Sequence, residues 1–453
     1  MPGPKGALEP LRALFLWHRD FLSFLRELDE KYSGPEMSPV WFNMLGQRMC
    51  LIVHPVQIKK ILSNYEDFTR NVTNLRAFRL ALGRNVVTAP DDKWPAIRKR
   101  TAGYFTNNHL ERYGDAVVEV LQKHAIPRLS KKAQRGETME LFEEMLDIGS
   151  LASFMSFLGD AIDEPPREVY MALNDVFCYV RVKTFSLLVP PRWIPTAANQ
   201  ELNRSLATLR GYLRPKLERE RDKDSMMGDI IRTHTDSQGQ VDADLVLEEI
   251  IANLLGGSET TIVLMTFAVY YLVQYPDAEN KLRAEIDSVL GARAPTVKDL
   301  KSMPFLLQLI QETLRLRSPG YINYRYVTRD TELGGYPIPK GTWTFASQFI
   351  THQDPRVWSD PSVFRPERFA PDSPEAPANR RDEAPFFPFG GGIFFCLGKN
   401  FAVNEAALMV AMLYQHFSFT IPEGAAQFPD PGIDARLTLR PAKPIRVRVH
   451  PRA

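Results

Sequence analysis

Cys396 is the residue whose surroundings point most directly to chemistry. It lies in the run FPFGGGIFFCLGKN at residues 387–400, after three glycines and before a segment whose apolar spacing predicts a helix over 397–415. The glycines allow a tight turn and a close approach to a flat partner. A following helix favours a thiolate by about 0.3–1 kcal/mol through its unpaired N–H groups and dipole. A thiolate is the electron-rich axial ligand that helps a haem iron to cleave an O–O bond.

The composition limits the classes of protein that the chain can belong to. It has 453 residues, 44% of them hydrophobic and 24% charged, which is enough for a large core in one domain or two. A net charge of +2 gives no case for a nucleic-acid partner. Cysteines at 50, 178 and 396 form neither a disulfide framework nor a zinc pattern, which favours a reducing compartment. We expect Cys50 and Cys178 to be structural, and burial as a small apolar residue is the alternative for Cys396 taken alone.

The apolar runs are too short for a membrane span, which requires roughly 18–20 residues. The nearest run, residues 261–273, continues an amphipathic helix. We therefore expect no membrane span in this chain and a cytoplasmic location. The start, PGPKG at residues 2–6, resembles a stiff hinge after a membrane anchor, so a membrane-associated protein with its anchor removed is the alternative.

The order of patterns along the chain predicts one mainly helical domain. Short strands such as 49–54 are mixed with helices in the first third, and the section 114–273 is helical. After Pro319 come short strands, including 342–348, and then a last long helix beginning at Cys396. No repeat or low-complexity linker interrupts the chain. The prediction is a mainly α (α+β) fold with small β-sheets in a single domain over residues 1–453.

A helix predicted over 242–274 has an unusual centre, LGGSETT at residues 255–261. Two glycines inside a helix cost about 2 kcal/mol relative to alanines, so a compensating interaction is expected, and a close ligand is one candidate. Glu259 and Thr260 place an acid and a hydroxyl beside a broad apolar surface. The alternative is a helix kink in which Thr260 donates to a backbone carbonyl.

A third pattern places Glu312 and Arg315 three residues apart on one face of an apolar helix, where they can form a salt bridge. Such a pair is also common on ordinary helix surfaces. Arg368, in the run FRPERF at residues 364–369, can bring a second guanidinium to Glu312 in a bidentate network.

Taken together and in this order, these motifs resemble those of the cytochrome P450 family, and the resemblance covers nearly the whole chain. It implies a triangular, mostly helical prism around a buried haem b. The motifs are the cysteine loop, Glu312-x-x-Arg315, Pro366-Glu-Arg368-Phe369, Gly256-Gly-x-Glu-Thr-Thr261 and Trp94-x-x-x-Arg98.

The resemblance implies how the haem is held. Cys396 would be the proximal thiolate ligand of the iron, with Phe389 and Gly390 of the cysteine loop also at the cofactor. The haem propionates would be met by Trp94, Arg98 and Arg325, because carboxylates in a dry site need cationic or hydrogen-bonding partners.

Phe394 departs from the family pattern, since the family usually has arginine or histidine two residues before the cysteine, as a further propionate donor. Two outcomes are open. Either Trp94, Arg98 and Arg325 suffice, or another group such as His109 or Lys99 replaces the missing contact.

By the same resemblance, Glu259 and Thr260 match the acid–alcohol pair that delivers protons to dioxygen, and they are the predicted catalytic residues. The predicted structural triad holds the region behind the haem together and consists of Glu312, Arg315 and Arg368.

The implied reaction is monooxygenation, which inserts one atom of O2 into a C–H or C=C bond. We expect a mid-sized hydrophobic substrate such as a terpenoid, steroid, fatty acid or polyketide. The candidates for the substrate pocket are Leu255, Gly256, Tyr321, Asn323 and Tyr324. For the tyrosines the alternative is core packing with satisfied hydroxyls.

Electrons from NAD(P)H would reach the haem through a separate redox partner, either a ferredoxin with its reductase or a flavoprotein reductase. We expect no fused reductase domain and a monomer. The partner would dock near Lys399 and residues 98–100, where cations can meet an acidic protein, although a solvated surface is the alternative for Lys99 and Arg100.

Two other functions remain open from the sequence. A P450-type isomerase, dehydratase or peroxygenase would need no external electrons; Glu259 and Thr260 count against it, and Phe394 counts mildly for it. A non-catalytic haem sensor would normally bring an output domain, and none is visible.

Overall fold

A computed structural model describes residues 2–6, 9–44, 46–70, 75–90, 92–158, 165–184, 186, 189–380, 385–422, 430–435 and 437–452. By Cα proximity the chain divides into two compact units. The first comprises Met1–Asn71, Gln311–Cys396 and Asp434–Arg440, and the second comprises Val72–Ile310, Leu397–Ile433 and Pro441–Ala453. The single functional domain expected from the sequence stays a prediction.

The described residues form mainly helices, and the strands among them are short, so the predicted mainly helical class is confirmed. The helices are α1 (Glu9–Arg19), α2 (Phe21–Tyr32), α3 (Pro55–Ser63), α4 (Arg76–Leu82), α5 (Trp94–Ala102), α6 (Asn107–Val120), α7 (Ile126–Gln134), α8 (Leu141–Leu158), α9 (Arg167–Lys183), α10 (Ala197–Leu213), α11 (Leu217–Glu220), α12 (Met226–Thr233), α13 (Ala243–Gln274), α14 (Pro276–Leu290), α15 (Pro304–Leu316), α16 (Gln348–Thr351) and α17 (Lys399–His416). The strands are β1 (Val40–Met44), β2 (Gln47–Ile52), β3 (Phe68–Thr69), β4 (Thr138–Glu140), β5 (Asn323–Val327), β6 (Thr331–Leu333), β7 (Tyr336–Ile338), β8 (Trp343–Ala346), β9 (Phe417–Thr420), β10 (Ile433–Ala435), β11 (Leu439–Pro441) and β12 (Arg446–Pro451).

The first unit is built on a five-stranded sheet in the order β1-β2-β8-β5-β3. Neighbouring strands are antiparallel except β2 and β8, which are parallel. This sheet presents Arg325 on β5 and places α3 beside the glycine turn of the cysteine loop. A β6–β7 hairpin and most of the two-stranded β10-β11 sheet also lie in this unit.

The second unit surrounds α13, which packs against α8 and α17. The contact with α8 is close because Gly149 has no side chain: a Cβ there would lie 2.5 Å from Cγ1 of Ile262. On α17 the residues from Ala406 to Tyr414 are all buried. A small sheet, β4-β12-β9, also lies in this unit.

Helix α13 is long and apolar enough to meet the length and hydropathy criteria for a membrane span, and it alone does so in the part of the chain that the structure describes. However, 72% of its apolar window is buried inside the protein, as in the core helix of a globular fold. Its apolarity is therefore accounted for by packing.

Three predicted boundaries differ from the structure. The strand expected over 49–54 ends at Ile52, because Pro55 starts α3 and suits its first turn. The strand expected over 342–348 ends at Ala346, because the hydroxyl of Ser347 caps α16. The last helix starts at Lys399 rather than Cys396, because the Cys396 N–H donates back to Phe389.

Candidate functional site

The cysteine loop is closed by its own backbone. The N–H of Gly390 donates to the carbonyl of Phe387 at 2.9 Å, and the N–H of Cys396 donates to the carbonyl of Phe389 at 3.0 Å. Gly390 and Gly392 adopt positive φ angles of 73° and 64°, which glycine adopts without strain. Cys396 is exposed at the end of this loop. Its sulfur is thus held on a fixed turn and can reach a partner outside the loop.

The other glycine feature of the loop is a close approach to α3. A Cβ on Gly392 would lie 2.0 Å from the carbonyl oxygen of Leu62. A Cβ on Gly391 would lie 3.2 Å from the Cβ of Leu62. On the other side of the turn, a Cβ on Gly390 would lie 3.3 Å from Oδ1 of Asn323. Asn323, a predicted pocket residue, therefore lies against the cysteine loop.

Arg325, predicted to meet a haem propionate, is a buried cation that has no carboxylate partner among the described residues. It is 4% exposed, and its Nη1 donates to the carbonyl of Tyr324 at 2.8 Å. Its Nε is buried without a hydrogen-bond partner there. Burial, and then the nearby charge of Arg70, lower the pKa of Arg325 to about 10. A buried guanidinium of this kind fits an anionic group supplied by a ligand, as a haem propionate would be.

Phe394 has two guanidinium groups close to its ring. The Cζ of Arg70 is 4.3 Å from the Phe394 ring centroid, and the Cζ of Arg325 is 5.2 Å from it. The ring of Tyr65 meets Phe394 edge-on, with centroids 5.8 Å apart. Sequence reasoning missed Arg70, because no motif or helical spacing connects it with the cysteine loop.

The predicted triad is present and fully enclosed. Arg315 binds both carboxylate oxygens of Glu312, at 2.7 and 2.8 Å, and Nε of Arg368 donates to Oε1 of Glu312 at 3.3 Å. None of the three side chains is exposed. Arg368 also donates to Glu375 at 2.7 Å. Burial raises the pKa of Glu375, but the hydrogen bonds from Ser359 and Arg365 and the charge of Arg368 outweigh it and lower the pKa to about 2.

His352 links this triad to the cysteine loop. Its carbonyl accepts a 2.7 Å hydrogen bond from Nη1 of Arg315, and its Nε2 accepts a 3.0 Å hydrogen bond from the N–H of Phe387. Burial, and then the Arg315 charge, lower the pKa of His352 to about 3, so the imidazole is neutral and its Nε2 stays an acceptor. Sequence reasoning missed His352, because a lone histidine carries no spacing signal.

The two central glycines of α13 have different surroundings. A Cβ on Gly257 would lie 2.9 Å from the ring of Phe157, so close packing with α8 explains that glycine. A Cβ on Gly256 would have no heavy atom within 4 Å, apart from its own helix backbone and neighbours, and Gly256 is exposed. Only Gly256 therefore leaves room for a ligand beside the helix.

The predicted acid–alcohol pair lies next to Gly256. The hydroxyl of Thr260 donates to the carbonyl of Gly256 at 2.8 Å, as the alternative interpretation expected, within an uninterrupted helix. That bond uses the hydroxyl proton and leaves oxygen lone pairs that can accept. Glu259 is 4% exposed. Leu255, a predicted pocket residue, is 5% exposed on the same helix.

A buried acid that sequence reasoning missed lies on α17. Burial raises the pKa of Glu405 to about 8, although hydrogen bonds with Thr261 and Ser153 partly oppose this effect. The Ser153 contact measures 3.4 Å. Its sequence signal was available, since Glu405 interrupts the apolar residues of α17. The hydrogen bonds of Glu405 with Ser153 and Thr261 connect α17 with α8 and α13 inside the second unit.

Trp94 and Arg98 are one turn apart at the start of α5. Trp94 is 6% exposed, and the Arg98 Cζ lies 5.7 Å from its ring centroid. Of their neighbours, Arg100 forms an ion pair with Glu249 at 3.2 Å, while Lys99 is exposed.

His109, a suggested replacement for the missing propionate contact, lies elsewhere in the second unit. Its Nδ1 lies 3.0 Å from the carbonyl of Gly103, and its Nε2 lies 3.5 Å from Asp229. The imidazole is therefore already engaged within that unit.

Of the candidate tyrosines of the first unit, Tyr321 is buried in the core and Tyr324 is partly buried. Tyr321 is 1% exposed, and its hydroxyl donates to the carbonyl of Ala435 at 3.1 Å, which is the packing alternative. Burial raises the pKa of Tyr324 to about 12. The ring of Tyr324 lies 5.7 Å from that of Trp343.

Within one unit, the structure brings together Cys396, Phe389, Gly390, Asn323 and Arg325. The second unit contains Trp94, Arg98, Leu255, Gly256, Glu259 and Thr260. Across the described ranges no group of three or more His, Cys, Asp or Glu side chains could hold a metal ion. The donor set around Cys396 suits a metal that arrives within an organic cofactor and takes a single sulfur ligand.

Comparison with known proteins gives a consistent result. A family model described as "Cytochrome P450" matches residues 2–449. Cyclooctat-9-en-7-ol 5-monooxygenase of Streptomyces melanosporofaciens is 28% identical over 372 residues, covering 81% of this chain and 79% of that protein. Cytokinin hydroxylase of Arabidopsis thaliana is 26% identical over 422 residues, covering 89% of this chain and 80% of that protein. A solved structure described as "Retinoic acid bound cyanobacterial CYP120A1" shares the fold, with a TM-score of 0.82 at 21% identity, covering 97% of this chain and 96% of that one.

Proposed function

This chain belongs to the cytochrome P450 family and is a haem-dependent monooxygenase, and on this premise we propose which of its residues act and on what. Cys396 is the thiolate ligand of haem b. The bound haem supplies the activation of O2, and the protein holds the sulfur, places the substrate and moves protons. The observation that carries the proposal is the exposed Cys396 on a loop whose backbone is closed at Phe389.

Thr260 and Glu259 carry protons toward dioxygen. The Thr260 hydroxyl keeps its proton in the bond to Gly256, so its oxygen can accept a hydrogen bond from a water or an oxygen species beside the helix. Glu259 is the next residue on α13 and is buried, so it can exchange protons without constant contact with bulk water. Reduction of O2 with external electrons consumes protons, so the presence of both residues of a proton-carrying pair favours monooxygenation over isomerase, dehydratase or peroxygenase chemistry.

The substrate is a mid-sized hydrophobic molecule, such as a terpenoid, steroid, fatty acid or polyketide. Its support is the apolar surface of α13 beside Gly256, where a side chain would meet no neighbour. The Streptomyces relative is named for cyclooctat-9-en-7-ol, an unsaturated alcohol, which agrees with a substrate of mainly apolar character.

Electrons come from NAD(P)H through a separate partner, either a ferredoxin with its reductase or a flavoprotein reductase. Exposed Lys399 and Lys99 offer cations to an acidic partner, whereas Arg100 is engaged with Glu249. We place the enzyme in the cytoplasm as a monomer.

Absorption spectra of the reduced protein with bound carbon monoxide test whether Cys396 is the haem ligand. We expect the dithionite-reduced wild-type protein and the control Cys178→Ser to show a strongly red-shifted Soret band with carbon monoxide. Cys396→Ser should lose that band or contain no haem. A normal haem–CO spectrum in the wild-type protein, or a red-shifted band in Cys396→Ser, would contradict the assignment.

A second pair of measurements tests the electron source and the substrate class. Product formation should require NAD(P)H with a reductase system and should be slower on peroxide alone; the reverse result would favour peroxygenase chemistry. A low-to-high-spin shift on adding terpenoids, steroids, fatty acids or polyketides identifies the substrate class, and shifts only with small polar compounds would reject the proposal.

A further inference from the structure

The cluster formed by Phe394, Arg70 and Arg325 accounts for the departure from the family pattern at position 394. The position has an aromatic side chain in place of a cation. Two cations are nevertheless there, because the Cζ atoms of Arg70 and Arg325 lie 4.3 and 5.2 Å from the Phe394 ring centroid. An aromatic ring attracts a guanidinium through its electron-rich face.

Arg325 is the unfavourably placed member of this cluster, because it is buried and its Nε has no hydrogen-bond partner among the described residues. Arg325 is 4% exposed and makes no ion pair with any described carboxylate, and the charge of Arg70 adds to the cost of burying it. An anionic ligand near both guanidinium groups would relieve the repulsion and satisfy the Nε donor of Arg325.

We propose that Arg70 and Arg325, held by the ring of Phe394, form a carboxylate-binding site for a haem propionate, in which Arg70 replaces the cation that the family usually has at position 394. This inference rests on the proposed haem ligation by Cys396, which lies two residues from Phe394. It assigns a binding role to Arg70 and a positioning role to Phe394. Neither His109 nor Lys99 is then needed for the missing contact.

A charge series at position 70 tests the assignment on the intact holoenzyme. The variants are Arg70→Lys, Arg70→Gln and Arg70→Glu. The matched control is Arg48→Gln, at an exposed position of the otherwise mostly buried strand β2. Gln and Glu have the same size and differ by one negative charge. The measurements are the rate of haem transfer to excess apomyoglobin and the reduction potential of the substrate-free enzyme.

Haem loss should follow the charge at position 70. We expect Arg70→Lys to resemble the wild type, Arg70→Gln to lose haem about tenfold faster, and Arg70→Glu to lose it faster still. The reduction potential should fall in the same order, because an uncompensated propionate favours ferric iron. Arg48→Gln should change neither quantity. Equal rates for Arg70→Gln, Arg70→Glu and Arg48→Gln would overturn the inference, and so would a lysine variant as poor as the glutamate variant.

Returning the cation to position 394 gives a rescue test. Arg70→Gln combined with Phe394→Arg should recover slow haem transfer, and failure to recover it in a folded protein would count against the inference. If Arg70→Gln yields no holoenzyme, Phe394→Leu is measured instead; it should speed haem transfer by releasing both guanidinium groups, and an unchanged rate would overturn the inference. If these variants keep the red-shifted CO band and transfer haem at the wild-type rate, only the propionate site is rejected. If the wild-type protein itself shows no red-shifted band, the proposed function is rejected.

Discussion

Nε2 of His352 accepts a 3.0 Å hydrogen bond from the backbone N–H of Phe387, the first residue of the cysteine loop. The carbonyl of His352 accepts from Arg315 at 2.7 Å, so one residue joins the buried triad to the loop. A change in the protonation of His352 should therefore affect the loop that carries the sulfur.

The pH dependence of stability should report this contact. The pKa of His352 is about 3 in the folded protein against 6.5 for an unperturbed imidazole, so between these values the unfolded chain binds a proton that the folded chain does not. Stability contributed by the neutral imidazole is present above pH 6.5 and is lost as pH falls toward 3. Protonation would also turn the Nε2 acceptor into a donor and break the bond to Phe387.

His352→Phe keeps a ring between Phe386 and Phe387 but removes the acceptor. At pH 7 we expect a loss of about 1–3 kcal/mol in the free energy of unfolding, because the Phe387 N–H is left unpaired. Between pH 6.5 and 4 the variant should lose less stability than the wild type. Urea unfolding followed by circular dichroism at several pH values measures both effects, and parallel pH profiles would contradict the prediction.

Glu405 should make the protein less stable as pH rises. Its pKa is about 8 in the folded protein against 4.5 for an ordinary glutamate, so between these values the unfolded chain releases a proton that the folded chain retains. Glu405→Gln keeps the size and neutral character of the acid. From pH 5 to 8 we expect the variant to lose roughly 2–4 kcal/mol less stability than the wild type. Glu143→Gln, at an exposed position on α8, is the control and should follow the wild-type profile.

The two glycines of α13 should respond in opposite ways to alanine. Gly256→Ala adds a methyl group where no neighbour lies within 4 Å, so the gain in helix propensity should stabilise the protein by about 1 kcal/mol. Gly257→Ala places a methyl group 2.9 Å from the Phe157 ring and should destabilise it by about 1–3 kcal/mol. Thermal unfolding compares the two. Similar midpoints would show that Phe157 moves aside freely.

Thr260 should control how well oxygen consumption is coupled to product. Thr260→Val removes the hydroxyl with little change in shape, and we expect product per NAD(P)H consumed to fall about tenfold or more, with peroxide released instead. Thr266→Val is a matched control on the same helix, since Thr266 also donates to a carbonyl four residues earlier, at 2.8 Å. Equal coupling in the two variants would remove Thr260 from the proton route.

Local patterns predicted much of this protein. Apolar spacing placed a helix at 242–274, and the structure has it at Ala243–Gln274; the three-residue spacing of Glu312 and Arg315 predicted their ion pair. Both patterns depend on neighbours within one or two helical turns. The roles assigned to Cys396, Glu259 and Thr260 stay predictions until the variants are measured.

Contacts between distant segments could not be predicted in this way. Arg70 meets Phe394, and His352 meets Phe387, only after the strands and loops of the first unit have packed. No residue type or spacing marks either pair. Two explanations fitted Gly257 equally well at the level of sequence. A glycine can be required by close packing, as Gly257 is against Phe157, or it can leave space for a ligand, and the sequence alone does not distinguish the two cases.

The approach of Gly392 to α3 also has a consequence for the gene. Its φ is 64°, and any Cβ would lie 2.0 Å from the carbonyl oxygen of Leu62, which is backbone and cannot rotate away. Every single-base change that replaces a glycine codon with another amino-acid codon introduces a side chain. Codon 392 is therefore closed to stepwise variation, and we expect every substitution at this codon in a mutagenesis library to disrupt the loop. At codon 256, by contrast, we expect alanine to be compatible with the fold.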